Sequence, residues 1–244
     1  MSKETLRVHS YESMGTVDGP GLRFIIFLQG CNFRCLYCAN PDTIDFTGGD
    51  EVTLDELFRM VEGVGGFFGK RGGVTFSGGE PTAQAKALVP LIKRFKAAGI
   101  HTCIDSNGSI WNSDVEELMT LVDLVLLDVK QIDTTKHKAL TGTGVERTLA
   151  LASWMESHSK PFWLRYVLVP GVSGDREDIT KLGEALGSYS MIERVEVLPY
   201  HRLGVHKYEV MNIEYKLAET RENTPEELAE AISIFESKFT CPVF

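Results

Sequence analysis

Apolar residues in this chain fall into short dense runs, separated by segments in which they recur at helical spacing. Six runs read as strands: Leu22 to Leu28, Val74 to Phe76, His101 to Ile104, Asp123 to Leu127, Phe162 to Gly171 and Val195 to Leu198. Several are apolar at consecutive positions rather than alternate ones, the pattern of parallel strands covered on both faces. Between them, Thr53-x-x-Glu56 opens a helix carrying Leu54, Leu57, Val61 and Val64 on one side. A second helix runs from about Ala83 to Ala98, with Gly99 placed to end it. Others follow a capping box at Ser113-x-x-Glu116, span about Gly144 to His158, and span Asp175 to Leu186. Thr224-Pro225-Glu226-Glu227 opens a last helix through Leu228, Ala231, Ile232 and Phe235. Residues 5–13 alternate weakly and read as a short edge strand or hairpin, and 202–223, charged and irregular, reads as a surface excursion.

Strands alternating with helices imply an α/β fold, its parallel strands joined by right-handed crossovers. The six units point to a (β/α)6 barrel of the TIM type, and 244 residues suit one domain. Within it, 1–21 form an N-terminal strand and loop, 22–200 the six units, and 201–244 the excursion and last helix.

The chemically unusual groups each follow one of the six strands, where α/β barrels place their chemistry. After the first come Cys31, Cys35 and Cys38, three thiols within eight positions. Thiolates select zinc, copper(I) or iron-sulfur clusters, and a structural zinc site normally takes four ligands. Three cysteines on a [4Fe-4S] cluster leave one iron open to an outside ligand. After the second strand comes Ser77-Gly78-Gly79-Glu80, two glycines beside a carboxylate, suited to close approach and to an amino group. Asp105 ends the third strand, and Asp128-Val129-Lys130 the fourth, where residues two apart share a face. Arg165 interrupts a strand that is otherwise apolar; a buried guanidinium requires a carboxylate or a ligand. His201 follows the sixth strand. Cys103, inside an apolar strand, and Cys241 read as packing residues.

The C-x3-C-x-aromatic-C run, with Tyr37 as the aromatic, resembles the signature of the radical S-adenosylmethionine (SAM) superfamily. Asp18-Gly19-Pro20-Gly21-Leu22-Arg23, Phe27 and Gly30-Cys31 are similar to the pattern of glycyl-radical-enzyme activating enzymes. The likeness continues through the GGE segment, Asp105-Ser106-Asn107-Gly108, Asp128-Val129-Lys130 and Leu198-Pro199-Tyr200-His201. The resemblance implies a partial, laterally open barrel of the radical SAM fold, with Cys31, Cys35 and Cys38 holding a [4Fe-4S] cluster. It implies SAM contacts at Tyr37, Cys38, Ala39, Asn40, Gly78, Gly79, Glu80, Asp105, Asp128, Val129, Lys130 and His201, and substrate contacts at Asp18 and Arg165. The implied partners are pyruvate formate-lyase, through a glycine-bearing loop, and flavodoxin or ferredoxin as electron donor.

Charge and cysteine usage narrow the setting. A net charge of −9 disfavours a general binder of nucleic acid or anionic membrane. The polar N-terminal segment and the lack of an 18-residue apolar run point to a cytoplasmic chain without a membrane span. Five cysteines, mostly clustered, suit a reducing compartment. Two alternatives stay open: activation of another glycyl radical enzyme, disfavoured because residues 39–102 hold no cysteine for a ferredoxin-like insert, and a non-catalytic zinc scaffold using a histidine such as His9 or His201 as fourth ligand.

Overall fold

A computed structural model describes residues 4–244; the first three residues of the N-terminal segment lie outside it. The chain forms two compact units. One comprises the residues up to Asn32, Thr43–Ser106 and Ile110–Leu126; the other comprises Phe33–Asp42, Asn107–Ser109 and Leu127–Phe244.

The first unit contains β1 (Thr5–Gly15), β2 (Arg23–Leu28), β3 (Asp50–Thr53), α1 (Leu54–Gly63), β4 (Gly73–Gly78), α2 (Ala85–Ala97), β5 (His101–Ser106) and α3 (Ser113–Leu121). Its strands lie in the order β3-β1-β2-β4-β5. β2, β4 and β5 are parallel, while β1 runs antiparallel to both β2 and β3. The sequence reads residues 5–13 as a short edge strand or hairpin; β1 does form an antiparallel hairpin with β2, but it is an internal strand of 11 residues, and the four-residue β3, with a single buried position, forms the edge. β2 and β4 are buried almost throughout, as their unbroken apolar sequences require. α2 buries Leu88, Val89, Leu91, Ile92 and Phe95, and Phe95 packs on Phe58 of α1 (5.4 Å) and Phe76 of β4 (6.3 Å).

Helix ends follow the local chemistry. α2 stops in a Schellman arrangement: Gly99 adopts φ +70°, its N–H reaches Lys96 O (3.1 Å), and Ile100 N–H reaches Phe95 O (2.9 Å). The Thr53 hydroxyl accepts from Glu56 N–H, forming half of the expected capping box. The cap of α3 is not Ser113 but the residue before it. Asn112 accepts from Val115 N–H at 3.0 Å, and an asparagine caps as well as a serine.

The long C-terminal segment of the second unit begins at Leu127, inside β6 (Leu124–Asp128), and continues with α4 (Thr134–Thr141), α5 (Glu146–Ser157), β7 (Phe162–Leu168), α6 (Arg176–Leu186), β8 (Ile192–Pro199), α7 (Val205–Val210) and α8 (Pro225–Glu236). β7 and β8 are parallel. Tyr166 of β7 packs edge-on against Phe235 of α8 at 5.7 Å, and Thr224 with Glu227 forms the complete capping box of α8. Two helices appear where periodicity gives no signal: α4, of low amphipathicity, and α7, six residues inside the supposed excursion. Among the described residues no helix is long and apolar enough to cross a membrane.

The two cap positions separate cleanly in experiment. Asn112→Ala should lower the urea-unfolding free energy by about 1 kcal/mol, and Ser113→Ala by a few tenths at most; equal effects would restore Ser113 as the cap.

Candidate functional site

In the first unit the GGE turn is built onto the start of the cysteine loop. The parallel register of β2 and β4 ends at Leu28 opposite Gly78. Beyond it Gly79 N–H donates to Leu28 O and Glu80 N–H to Gly30 O, both at 2.8 Å. A Cβ on Gly79 would lie 2.3 Å from Gly30 O, and Gly78 has φ +100°. What these glycines approach closely in the structure is the backbone next to Cys31. On the other side of the loop, Gly30 N–H and Cys31 N–H donate to Thr43 O (2.8 Å) and Ile44 O (3.1 Å).

The Glu80 side chain is 1% exposed, and its Oε1 accepts from Thr82 N–H (3.0 Å), the Thr82 hydroxyl (2.5 Å) and the Ser106 hydroxyl (2.8 Å). Ser77 Oγ donates to Asp105 Oδ2 at 2.9 Å. Two hydroxyl–carboxylate bonds thus join the ends of β4 and β5. Asp18 is half-buried, and its carbonyl accepts from Thr75 Oγ1 at 2.6 Å. Arg23 below it is fully buried and donates to Thr75 Oγ1 (2.9 Å). Cys103 lies beside Arg23; burial pushes its thiol up to about 12, against the pull of the guanidinium, as fits a packing residue.

The second unit holds the remainder of the cysteine loop. Cys38 N–H closes a turn on Cys35 O at 3.1 Å. Arg34 N–H and Leu36 N–H donate to Thr141 O (2.8 Å) and Leu140 O (3.0 Å), the last carbonyls of α4. These are acceptors that a helix end leaves without intrahelical partners. Gly142, with φ +85°, ends α4 there. Tyr37 packs with Leu140, Val169, Tyr200 and Leu217, and burial holds its phenol well above the usual range. Burial also raises the Cys38 thiol, opposed by a hydrogen bond from Asn40 N–H and by the charge of Lys130.

Asp128, the last residue of β6, and Lys130, two residues beyond the strand, do meet, Nζ to Oδ2 at 2.7 Å with side-chain exposures of 18% and 12%, although the strand period invoked from the sequence does not extend to Lys130. Lys130 Nζ lies 5.8 Å from the centre of the Tyr37 ring. Burial opposes the ammonium charge, but Asp128, with Tyr37 and Cys35, outweighs it and holds Lys130 well above the usual lysine range. Val129 is fully buried and donates its N–H to Arg165 O at 3.1 Å. Arg165 has its carboxylate in Glu196 (Nε–Oε2 3.3 Å), directly across the β7–β8 register. Glu196 also receives Arg194 (3.0 Å), whose guanidinium lies between the rings of Trp163 (4.7 Å) and Phe244 (3.9 Å). His201 is exposed, with Nδ1 accepting from Leu203 N–H at 3.4 Å.

The structure therefore brings Cys35, Tyr37, Cys38, Asp128 and Lys130 together in one unit, and Cys31, Gly78, Gly79 and Glu80 in the other, with Asp105 at the end of β5. Sequence reasoning missed Thr82 and Ser106, which hold the Glu80 carboxylate, and the helices α4 and α7. For α4 the usable signals were Asp133, its N-cap, and Gly142 just past its end.

A family described as a 4Fe-4S single cluster domain matches residues 17–148, more than half of the chain. The pyruvate formate-lyase-activating enzyme of Staphylococcus epidermidis is 46% identical over 232 residues, 92% of each chain. The pyruvate formate-lyase 1-activating enzyme of Escherichia coli K12 is 46% identical over 214 residues, covering 86% of this chain and 87% of that protein. Among solved structures, a domain of pyruvate-formate lyase-activating enzyme from Bacteroides vulgatus superposes with a TM-score of 0.59 at 26% identity, over 71% of this chain and 99% of the other. Streptococcus suis SuiB, at 18% identity, shares the fold with a TM-score of 0.70 over 92% of this chain and 49% of its own.

Two outcomes follow from this geometry. Cys103 is fully buried and burial keeps its thiol protonated, so iodoacetamide should leave Cys103 unlabelled until the chain unfolds, as read by peptide mass spectrometry, and Cys103→Ser should bind as much iron as wild type. Asp128→Leu strands Lys130 in a largely buried position and should cost roughly 3 kcal/mol of stability, much of it regained on adding Lys130→Met.

Proposed function

Because the chain belongs to the family of pyruvate formate-lyase-activating enzymes, we propose that it activates pyruvate formate-lyase by placing a radical on a glycine of that enzyme, using SAM and a [4Fe-4S] cluster. The observation that carries this reading is the three-thiol run Cys31-Cys35-Cys38 in a chain matched over 92% of its length by an enzyme of that name. The donor set fits such a cluster. All three are partly exposed thiols outside any disulfide. Thiolates are the ligands iron-sulfur clusters take, and three of them leave one iron open.

When bound, the cluster would supply an electron and one open coordination position for the reductive cleavage of SAM. The chain's share is holding and shielding. Cys31, Cys35 and Cys38 bind three irons. Tyr37, Cys38, Ala39, Asn40, Gly78, Gly79 and Glu80 frame SAM beside them. Asp105, Asp128, Val129, Lys130 and His201 line the rest of its site from the strand ends. Asp128 keeps Lys130 protonated, so the pair offers a cation and a carboxylate at fixed separation. Asp18 and Arg165 contact the glycine-bearing loop, with Glu196 orienting Arg165. In this reading the chain works as a single radical SAM domain in the cytoplasm, with flavodoxin or ferredoxin supplying the electron.

Anaerobically reconstituted protein should carry about four irons and four sulfides per chain, show an electron paramagnetic resonance (EPR) signal on dithionite reduction, release 5′-deoxyadenosine with SAM, and produce a glycyl radical when mixed with pyruvate formate-lyase. Cys35→Ala should lose all four. Stoichiometric zinc in place of iron would end this reading; SAM cleavage with a radical only on a different glycyl radical enzyme would change the target.

A further inference from the structure

The segment that reads as a surface excursion is anchored to the cysteine loop at four points. Gly204 sits against Ala39, so close that a Cβ on it would lie 2.5 Å from Ala39 O. Lys207 Nζ reaches Asn40 Oδ1 (2.9 Å) and Asp42 Oδ2 (3.0 Å). Tyr208, 7% exposed, donates its hydroxyl to Cys38 O at 2.9 Å. Leu217 packs into the apolar cluster around Tyr37. Between the last two, Tyr215 meets the Tyr208 ring edge-on at 4.9 Å and shares a 2.6 Å hydrogen bond with the Tyr200 hydroxyl.

Cys38, Ala39 and Asn40 belong to no helix or strand. A peptide turn outside regular structure keeps its shape only if its polar groups find partners elsewhere. Here a carbonyl and a side-chain amide are engaged by one short helix, and the close backbone face at Ala39 by its N-cap residue, Gly204. The turn in question carries the last of the three cysteines, and its Asn40 N–H is the donor to the Cys38 sulfur. Hydrogen bonds to cluster sulfurs and the orientation of ligands set the stability and potential of iron-sulfur centres.

We infer that α7 is a strap that positions the Cys38–Asn40 turn for cluster binding, with Tyr208 and Lys207 as positioning residues and Gly204 as the contact that lets the helix seat. This inference rests on the proposed function only to the extent that Cys38 is a cluster ligand; it is independent of which glycyl radical enzyme is the target. Tyr208→Phe removes one hydroxyl from a closely packed ring and leaves its shape unchanged. The single hydrogen bond lost corresponds to a factor of about 2 to 12.

The test measures iron release from the anaerobically reconstituted holoprotein to a ferrous chelator, together with the EPR line shape and midpoint potential of the reduced cluster. Urea unfolding of each variant is run alongside. Tyr208→Phe should release iron about 2- to 12-fold faster, with a shifted EPR spectrum and an unfolding midpoint close to wild type. Gly204→Ala, which holds the helix off Ala39, should release iron faster still, and Lys207→Met should shift the potential. Val210→Ser, on a residue of the same helix that is 85% exposed, should match wild type in all four readouts. Wild-type release rates and spectra in both Tyr208→Phe and Gly204→Ala would overturn the strap and leave the proposed function standing. A wild-type chain that takes up no iron would overturn both.

Discussion

The constraint on which the site depends is that a stretch of chain with almost no regular structure must carry three cysteines and still have its backbone polar groups satisfied. Residues 30–40 meet it with borrowed partners. Gly30 and Cys31 use the carbonyls of Thr43 and Ile44, and Gly30 O receives Glu80 N–H. Arg34 and Leu36 use the carbonyl end of α4, and Cys38 O uses the Tyr208 hydroxyl. The arrangement is economical because a helix C-terminus and a strand end both present groups that need outside partners anyway. The cysteine loop and the elements beside it complete one another.

Charge burial is handled differently at three largely buried cations, Lys130, Arg23 and Arg165, and the contrast shows which effect wins where. Lys130 has a carboxylate at 2.7 Å, and attraction beats burial, so its ammonium is held firmly. Arg23 is just as deeply placed, but its hydrogen-bond partners are a hydroxyl, backbone carbonyls and the His101 ring; there burial wins and its pKa falls. Neutral acceptors satisfy a guanidinium's hydrogen bonds without returning the solvation energy of its charge, whereas a carboxylate does both. Arg165 lies with Lys130 in having Glu196 opposite it. The residues proposed to meet SAM and the substrate loop are thus set in compensated charge, while Arg23 acts as a structural tie under the Asp18 loop.

What could be read from the sequence follows from the physics of each signal. Buried parallel strands are continuous apolar runs, so all six were visible, and the cysteines, the GGE segment, Asp105, Asp128 with Lys130, and His201 stood out at or just past their ends. Helices α1, α2 and α8 showed through their apolar faces and caps. α4 and α7 were invisible for the opposite reason: they are eight and six residues long and bury few apolar side chains, while their carbonyls, hydroxyl and amine meet the cysteine loop. Such helices are stabilised by tertiary contacts absent from local sequence. Arg165 illustrates a half-readable case. Its need for a partner follows from its apolar surroundings, but that the partner is Glu196 depends on a cross-strand register that only the fold supplies.

The GGE motif shows how one sequence can be required twice. Two glycines beside a carboxylate suggest close approach of a ligand, and the family relationship supports that use. Yet any side chain at position 79 would place its Cβ 2.3 Å from Gly30 O, and one at 78 would sit 2.7 Å from Leu28 N in a left-handed backbone that side chains resist. The glycines are demanded by the β2–β4 junction before any ligand arrives. Glu80 is likewise occupied by Thr82 and Ser106, so its carboxylate is already oriented by the protein. Substitution at Gly79 would therefore first move the turn away from Gly30 and the neighbouring cysteine, and any loss of SAM binding would follow from that displacement. Whatever ligand the motif meets, its two glycines and the Glu80 N–H first fix the backbone that leads into Cys31.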